Sequence, residues 1–238
     1  TGSFAVFGTG RAYDQIRNTV CYSNLDVKIC PTHAGVSVGP DGGSHQMLED
    51  VSLMRGLPNM RVLVPADYAA ARAAIKLAAK TPGPVYVRMG RAAVPCVYDA
   101  DVELELGRAY VLREGSDATI VACGVEIREA LAAADALAEE GISAEVVDAF
   151  SVKPLDEDTI TASVSKTGCC VVAEEHSVHG GLGSAVAECL ARKNPAPCEF
   201  VGVQDRFGKS GEFEELLGYF NLDAAAIVEA VKRAMGRK

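Results

Sequence analysis

The sequence predicts an α/β protein of two three-layer αβα domains, each built on a mostly parallel sheet. Two observations carry that prediction. Short apolar runs alternate with helical patterns along the whole chain, and such alternation implies βαβ units. Parallel strands need crossover connections, which places helices over both sheet faces. The stretch AAVPCVYDADVELEL (92–106) interrupts the series with turn signals and no helical period. It divides the chain into a first domain at 1–91, a linker at 92–106 and a second domain at 107–238.

In the first part, SFAVF (3–7) reads as a strand and RAYDQIRNTVCY (11–22) as a helix. DVKIC (26–30) is the next strand, followed by a helix near 46–56 and the strand MRVLV (60–64). YAAARAAIKLAAK (68–80) is rich in alanine, the best helix former, and Asp67 stands where an N-cap acceptor is needed. PVYVR (84–88) closes the series as a strand.

The second part repeats the alternation. Strands are expected at AYVLR (109–113), ATIVAC (118–123), AEVVDA (144–149), CCVVAE (169–174) and CEFVGV (198–203). Helices fit 125–140, 155–165, 183–192 and 223–235. In the first of these Ile127, Leu131, Ala134 and Ala138 share one face, and Gly141 supplies the stop. In the last, Asp223 at the start and Lys232 and Arg233 near the end suit the helix dipole.

A chain of 238 residues, 49% apolar and 23% charged, can bury a sizeable core. Its formal charge of −9 argues against a nucleic-acid or anionic-membrane partner, either of which needs a basic face. No apolar run reaches the ~18 residues of a transmembrane helix, and the first residues lack a signal-peptide pattern. The eight cysteines sit mostly in strand-like runs, which predicts free thiols in a reducing cytoplasm. Adjacent Cys169 and Cys170 read as packing residues.

THAGVSVGPDGGSHQ (32–46) holds two of the four histidines, an aspartate and four glycines, without the period of a helix or strand. It is expected to bury no apolar face. It follows the strand at 26–30, and open α/β sheets place ligands at the carboxyl ends of strands. His33 and His45 can move protons near neutral pH, and Asp41 can accept a hydroxyl hydrogen bond. A solvated tight turn around Pro40-Asp41-Gly42-Gly43 is the other reading. The spacing of the three groups matches no common structural zinc pattern.

Other motifs are weaker. GTGRAYDQ (8–15) starts like a dinucleotide fingerprint but has Tyr13 where the third glycine belongs. CGVEIREA, with Asp148 further on, lacks the paired glycines. EEHSVHGGLGSAV (174–186), with His176 and His179, is either an anion site at a helix start or a loop whose polar groups satisfy one another. In VRMGR (87–91), Arg88 and Arg91 end a strand, as a phosphate fork or as solvated salt bridges.

Taken together these residues resemble the C-terminal portion of transketolase. SFAVFGTGRAYDQIR, THAGVSVGPDGGSHQMLEDVSLMRGLPNMRVLVPAD and YVRMGR resemble the family's pyrimidine-binding domain. GSDATIVACG, EEHSVHGGLGSAV and DRFGKSGEFEELL resemble its C-terminal domain. The resemblance is to the C-terminal subunit of a split transketolase, whose diphosphate-binding domain is a separate chain. It implies a thiamine diphosphate-binding fold followed by a transketolase C-terminal-domain-like fold. The implied activity moves a two-carbon ketol unit from a ketose phosphate to an aldose phosphate, with thiamine diphosphate as cofactor. Mg2+ is held mainly by the partner subunit. A dimer or larger homo-oligomer, a cytoplasmic location and a place in the pentose phosphate pathway come with the same resemblance.

By this resemblance His33 and His45 are catalytic, Asp41 binds a substrate hydroxyl and Arg91 grips the sugar phosphate. Phe4 and Phe7 fall where aromatics pack on the pyrimidine ring, and Gln15 where some members reach the cofactor. Some members carry another residue at the position of His45, and FGTGRA carries one residue more than some relatives. The family's pyrimidine-activating glutamate lies upstream of the match, so the first domain is expected to be truncated and the piece alone inactive. Deoxyxylulose phosphate synthase and the β subunit of 2-oxoacid dehydrogenases share the domain arrangement and stand as alternatives. So do a non-catalytic folded fragment and a generic NAD-binding α/β protein.

Overall fold

The computed structural model describes all 238 residues and contains two sheets with helices on their faces. The first sheet has β1 (Lys28–Ile29), β2 (Arg61–Leu63) and β3 (Val85–Val87) in parallel, with β3 in the middle. The second is built from β4 (Tyr110–Arg113), β5 (Ala118–Ala122), β6 (Ala144–Asp148), β8 (Cys170–Ser177) and β9 (Cys198–Val203). Its order is β4-β6-β5-β8-β9, and β4 is its one antiparallel strand. The mostly parallel α/β class is as the alternation of patterns predicts.

β7 (Ser151–Lys153) was not foreseen. It leaves the second half of the chain and pairs antiparallel with β2 in the first sheet. Three residues carry too little pattern to announce a strand, and their partner lies far away in sequence.

The opening residues differ from expectation. SFAVF forms no strand: Phe4 makes a single bridge to Thr32. Val6–Arg11 and Ile16–Cys21 run as wide π-type turns around a short α1 (Tyr13–Gln15). Ala5, Thr9 and Ile16 face inward and are buried, a helical spacing that the neighbouring aromatics conceal. The Thr9 hydroxyl donates to the Ala5 carbonyl at 2.6 Å. GTGR therefore lies inside helical turns, and the strand–turn–helix context of a dinucleotide site is missing.

The helices follow their sequence signals more closely. α2 (Asp50–Arg55) is shorter than expected, whereas α3 (Tyr68–Lys80) has the expected bounds. Asp67 Oδ1 accepts from Ala70 N–H at 2.8 Å, as an N-cap should. α4 (Glu126–Glu139), α5 (Glu157–Thr167), α6 (Leu182–Lys193) and α8 (Ala224–Met235) fall within a few residues of expectation. α7 (Phe213–Phe220) was not foreseen.

Packing joins the two sheets. Ile29, Val62 and Tyr86 of the first sheet share one apolar cluster with Val121, Val147 and Val172 of the second. The far face of the first sheet is covered by α3, through Ala70, Ala74 and Leu63. α4 and α8 cover the second through Ile127, Leu137, Ile227 and Val231.

The linker is fastened rather than loose. Asp67 Oδ2 accepts from Val97 and Tyr98 N–H at 2.6 and 2.9 Å, and the Tyr98 hydroxyl donates to Asp148 at 2.7 Å. No helix is long and apolar enough to cross a membrane. All eight cysteines are free thiols, with Cys169 and Cys170 fully buried.

Candidate active site

The 32–46 segment crosses from the end of β1 toward the second sheet. Thr32 N–H donates to Ser3 and Ala34 N–H donates to Met89, at 2.9 and 3.2 Å. Between these two ties His33 is held at φ +62. A side-chain-bearing residue adopts that left-handed backbone only where its surroundings impose it, and such positions cluster at functional sites.

The segment does bury an apolar face, contrary to its lack of period. Val36 and Val38 are fully enclosed, and Val36–Asp41 coils into a tight 3-10 stretch. The valines lie within a turn whose geometry the glycines set, so neither regular template detects them.

Four aromatic rings meet at its edge. The Phe4 ring lies flat on the His33 imidazole, with centroids 3.9 Å apart. His45 stands edge-on to both Phe4 and Phe7, at 5.8 and 5.4 Å. Each imidazole is fixed by its preceding hydroxyl: Thr32 Oγ1 lies 2.8 Å from His33 Nδ1, and Ser44 Oγ lies 2.9 Å from His45 Nδ1. Both Nε2 atoms have no protein partner, so they are the nitrogens available for proton transfer. Each hydroxyl directly precedes its imidazole in the sequence, so the signal for these pairs is local.

Charge converges on His33 as well. Partial burial lowers its pKa first, the Arg91 guanidinium lowers it further, and Asp41 opposes both. Arg91 also reaches the loop backbone, since a Cβ on Gly39 would lie 3.7 Å from its Nη1. Beside Arg91 a cavity of about 390 Å³ opens between Thr32, Pro65, Tyr68, Met89 and Val125. His33, His45, Phe4 and Phe7 are thus in contact, and Arg91 and Asp41 act on the same imidazole.

Gln15 does not join them. It is exposed on α1 and shares no hydrogen bond with the aromatic cluster. Arg11, not among the expected site residues, stacks its guanidinium 4.4 Å from the Phe7 centroid.

Arg88 is no phosphate ligand. It is buried, and its Nε donates to Asp50 at 2.8 Å, an oxygen that also accepts from the Tyr86 hydroxyl at 2.5 Å. The glycine-rich start of α6 is not vacant either. Leu182 and Gly183 N–H donate to the Glu174 carboxylate at 2.7 and 2.8 Å. His176 accepts from Ser52 N–H at 3.3 Å, which ties α2 to β8. That motif is the self-satisfied loop of the two readings.

Comparison with known proteins accords with this arrangement. Residues 1–97 match the transketolase pyrimidine binding domain, and residues 107–227 match the transketolase C-terminal domain. The chain is 44% identical to a protein described as a transketolase C-terminal section from Methanocaldococcus jannaschii, covering 99% of this chain and 75% of that one. It is 44% identical to the 6-deoxy-6-sulfo-D-fructose transketolase subunit SqwH of Clostridium sp. strain MSTE9, over 100% and 74% of the two chains. Among solved structures it superposes on a split-gene transketolase, an inactive β4 tetramer, with TM-score 0.91 and 50% identity, over 100% of this chain and 75% of that one. With both domains matched in order across nearly its whole length, the chain belongs to the transketolase family, a thiamine diphosphate-dependent family, as a C-terminal subunit of the split form.

Proposed function

We propose that this subunit supplies the pyrimidine side of a thiamine diphosphate site that moves a two-carbon ketol unit from a ketose phosphate to an aldose phosphate. The observation that carries the reading is the half-buried cluster of Phe4, Phe7, His33 and His45, with Arg91 and Asp41 acting on His33. An apolar aromatic face beside two imidazoles with free Nε2 atoms fits a cofactor carrying an aromatic ring and an exchangeable proton.

When bound, the cofactor supplies the carbon nucleophile that breaks and remakes the ketol bond. The work of this chain is to orient and to move protons. Phe4 and Phe7 would supply aromatic surface against the cofactor's pyrimidine ring. His33, whose pKa is lowered by partial burial and by Arg91 against the pull of Asp41, takes or returns a proton at Nε2, and His45 does the same from the other side. Asp41 accepts a hydrogen bond from a substrate hydroxyl. Arg91, exposed and unpaired by any carboxylate, forks the terminal anion of the sugar. A sulfonate presents the same oxygens as a phosphate, so a sulfosugar belongs among the donors tested.

The diphosphate and Mg2+ are assigned to an N-terminal partner subunit. Neither matched domain is the diphosphate-binding one, and relatives of this chain are described as sections or subunits. Assembly as a homo-oligomer and a cytoplasmic location belong to the same reading, which the free thiols support.

The test is reconstitution. The chain, an N-terminal transketolase subunit, thiamine diphosphate and Mg2+ are mixed and assayed with xylulose phosphate, with a sulfosugar and with pyruvate as donors. Ketol transfer only in the mixture supports the reading. Turnover by this chain alone, or a preference for pyruvate, overturns it.

A further inference from the structure

We propose that Glu175 is a positioning residue: reaching across from the second domain, it clamps the 32–46 loop and so sets the placement of His33 and Asp41. The inference rests on reading that loop as the active site and assigns a task to the second domain within it.

Glu175 lies on β8 in the second sheet and is buried. Its carboxylate accepts the N–H of Ser37, in the first turn of the 3-10 stretch between the two candidate residues. The loop is shaped around that carboxylate. Gly35 sits at φ +80, and a Cβ there would lie 2.2 Å from Glu175 Cδ. The carboxyl therefore occupies the space that any other residue at position 35 would fill. Val36, between the glycine and the serine, packs into the core of the second domain with Val201 and Leu216.

Glu175 is itself held from the first domain. Arg88 Nη2 donates to its backbone carbonyl at 2.8 Å, and Arg88 Nη1 lies 3.8 Å from its Oε2. Nearby Glu126 has both carboxyl oxygens without a partner. Burial first, then the charge of Glu175, pushes its pKa up. Burial pushes the pKa of Glu175 itself up to about 7, against the opposing pull of Arg88 and of the Ser37 hydrogen bonds.

A second grip closes the far end of the loop. Gln46 Nε2 donates to the Lys209 carbonyl at 2.9 Å and to the Val36 carbonyl at 3.1 Å. A Cβ on Gly42 would meet Ser210 Oγ at 2.3 Å. The loop is thus sandwiched, and Glu175 holds the end nearer His33. It touches no expected substrate position, so it acts through the backbone it fixes.

Hydrogen exchange of the purified chain, with no cofactor or substrate, tests this. In Glu175→Ala the amides of 35–46 should exchange about tenfold faster or more, while α3 and α4 keep their protection. Glu175→Gln, whose amide oxygen still accepts from Ser37, should stay within about threefold of wild type. Gly35→Ala, which pushes on the same contact from the other side, should reproduce the alanine variant and serves if that variant folds poorly. Unchanged exchange in 35–46, or equal acceleration in α3 and α4, overturns the proposal. Because no activity is read, a failed transferase assay would count against the proposed function and leave this result standing.

Discussion

The Phe4 ring and the His33 imidazole lie face to face, their planes 9° from parallel. Phe4 comes from the first residues of the chain and His33 from the loop after β1, and the bridge between Phe4 and Thr32 brings them together. The imidazole plane is therefore set by a neighbour as well as by the left-handed backbone at His33. Several consequences can be measured.

Replacing Phe4 by leucine keeps apolar volume and removes the flat face. Stability should fall by about 0.5–1.5 kcal/mol for each aromatic pair the ring makes. Transfer activity in the reconstituted enzyme should fall by roughly 10- to 100-fold, because misplaced catalytic groups are costly. Urea unfolding and the transfer assay separate the two effects. Full activity in Phe4→Leu would remove the stack from the mechanism.

The titration of His33 should respond to its charged neighbours in opposite directions. Arg91 lowers its pKa and Asp41 raises it. Arg91→Met should therefore move the NMR titration midpoint of His33 upward, and Asp41→Asn should move it downward. A midpoint that ignores both substitutions would show that these groups do not share one site.

Arg88→Met leaves the buried carboxylates of Asp50 and Glu175 without their guanidinium. Breaking a buried pair from one side costs about 3–5 kcal/mol. The loss should appear as a lower urea midpoint. A variant as stable as wild type would contradict the buried network.

Asp148 carries a pH signature in stability. Burial pushes its pKa up to about 7, with the charge of Asp67 adding and the Tyr98 hydroxyl opposing. Between ~4, where an unfolded aspartate titrates, and about 7, the folded chain binds the extra proton. Its stabilising contribution is complete below that window and is lost as pH rises through it. Asp148→Asn keeps the acceptor for Tyr98 and removes the titration. The urea midpoint of the variant should therefore decline less between pH 4 and 7, and parallel curves would refute the assignment.

Much of the fold was legible because its signals are local. The capping carboxylate at Asp67, the alanine run of α3 and the spaced apolar residues of α4 act within a few turns of one helix. The extended apolar runs that became β5, β6, β8 and β9 likewise state their own conformation. The glycine-loosened segment at 32–46 stood out for the same reason, since two imidazoles and a carboxylate crowd a stretch with no period.

The remainder depended on distant partners. The helical turns at 6–21 were hidden because Phe4, Val6 and Phe7 mimic a strand, while their burial is decided by packing against the 32–46 loop and α2. β7 became a strand because β2 left an edge open to it. Arg88 and Arg91 are three residues apart and indistinguishable in sequence. One meets Asp50 and the second domain, whereas the other stays exposed beside His33.

The chain by itself determined most of its longer helices, the central strands of the second sheet and the unusual composition of the 32–46 loop, because propensity, capping and periodicity act over a few residues. Tertiary structure alone decided which arginine is free, which ring lies on His33 and why position 35 has no side chain. Those depend on Glu175, Phe4 and Asp50 arriving from remote parts of the sequence.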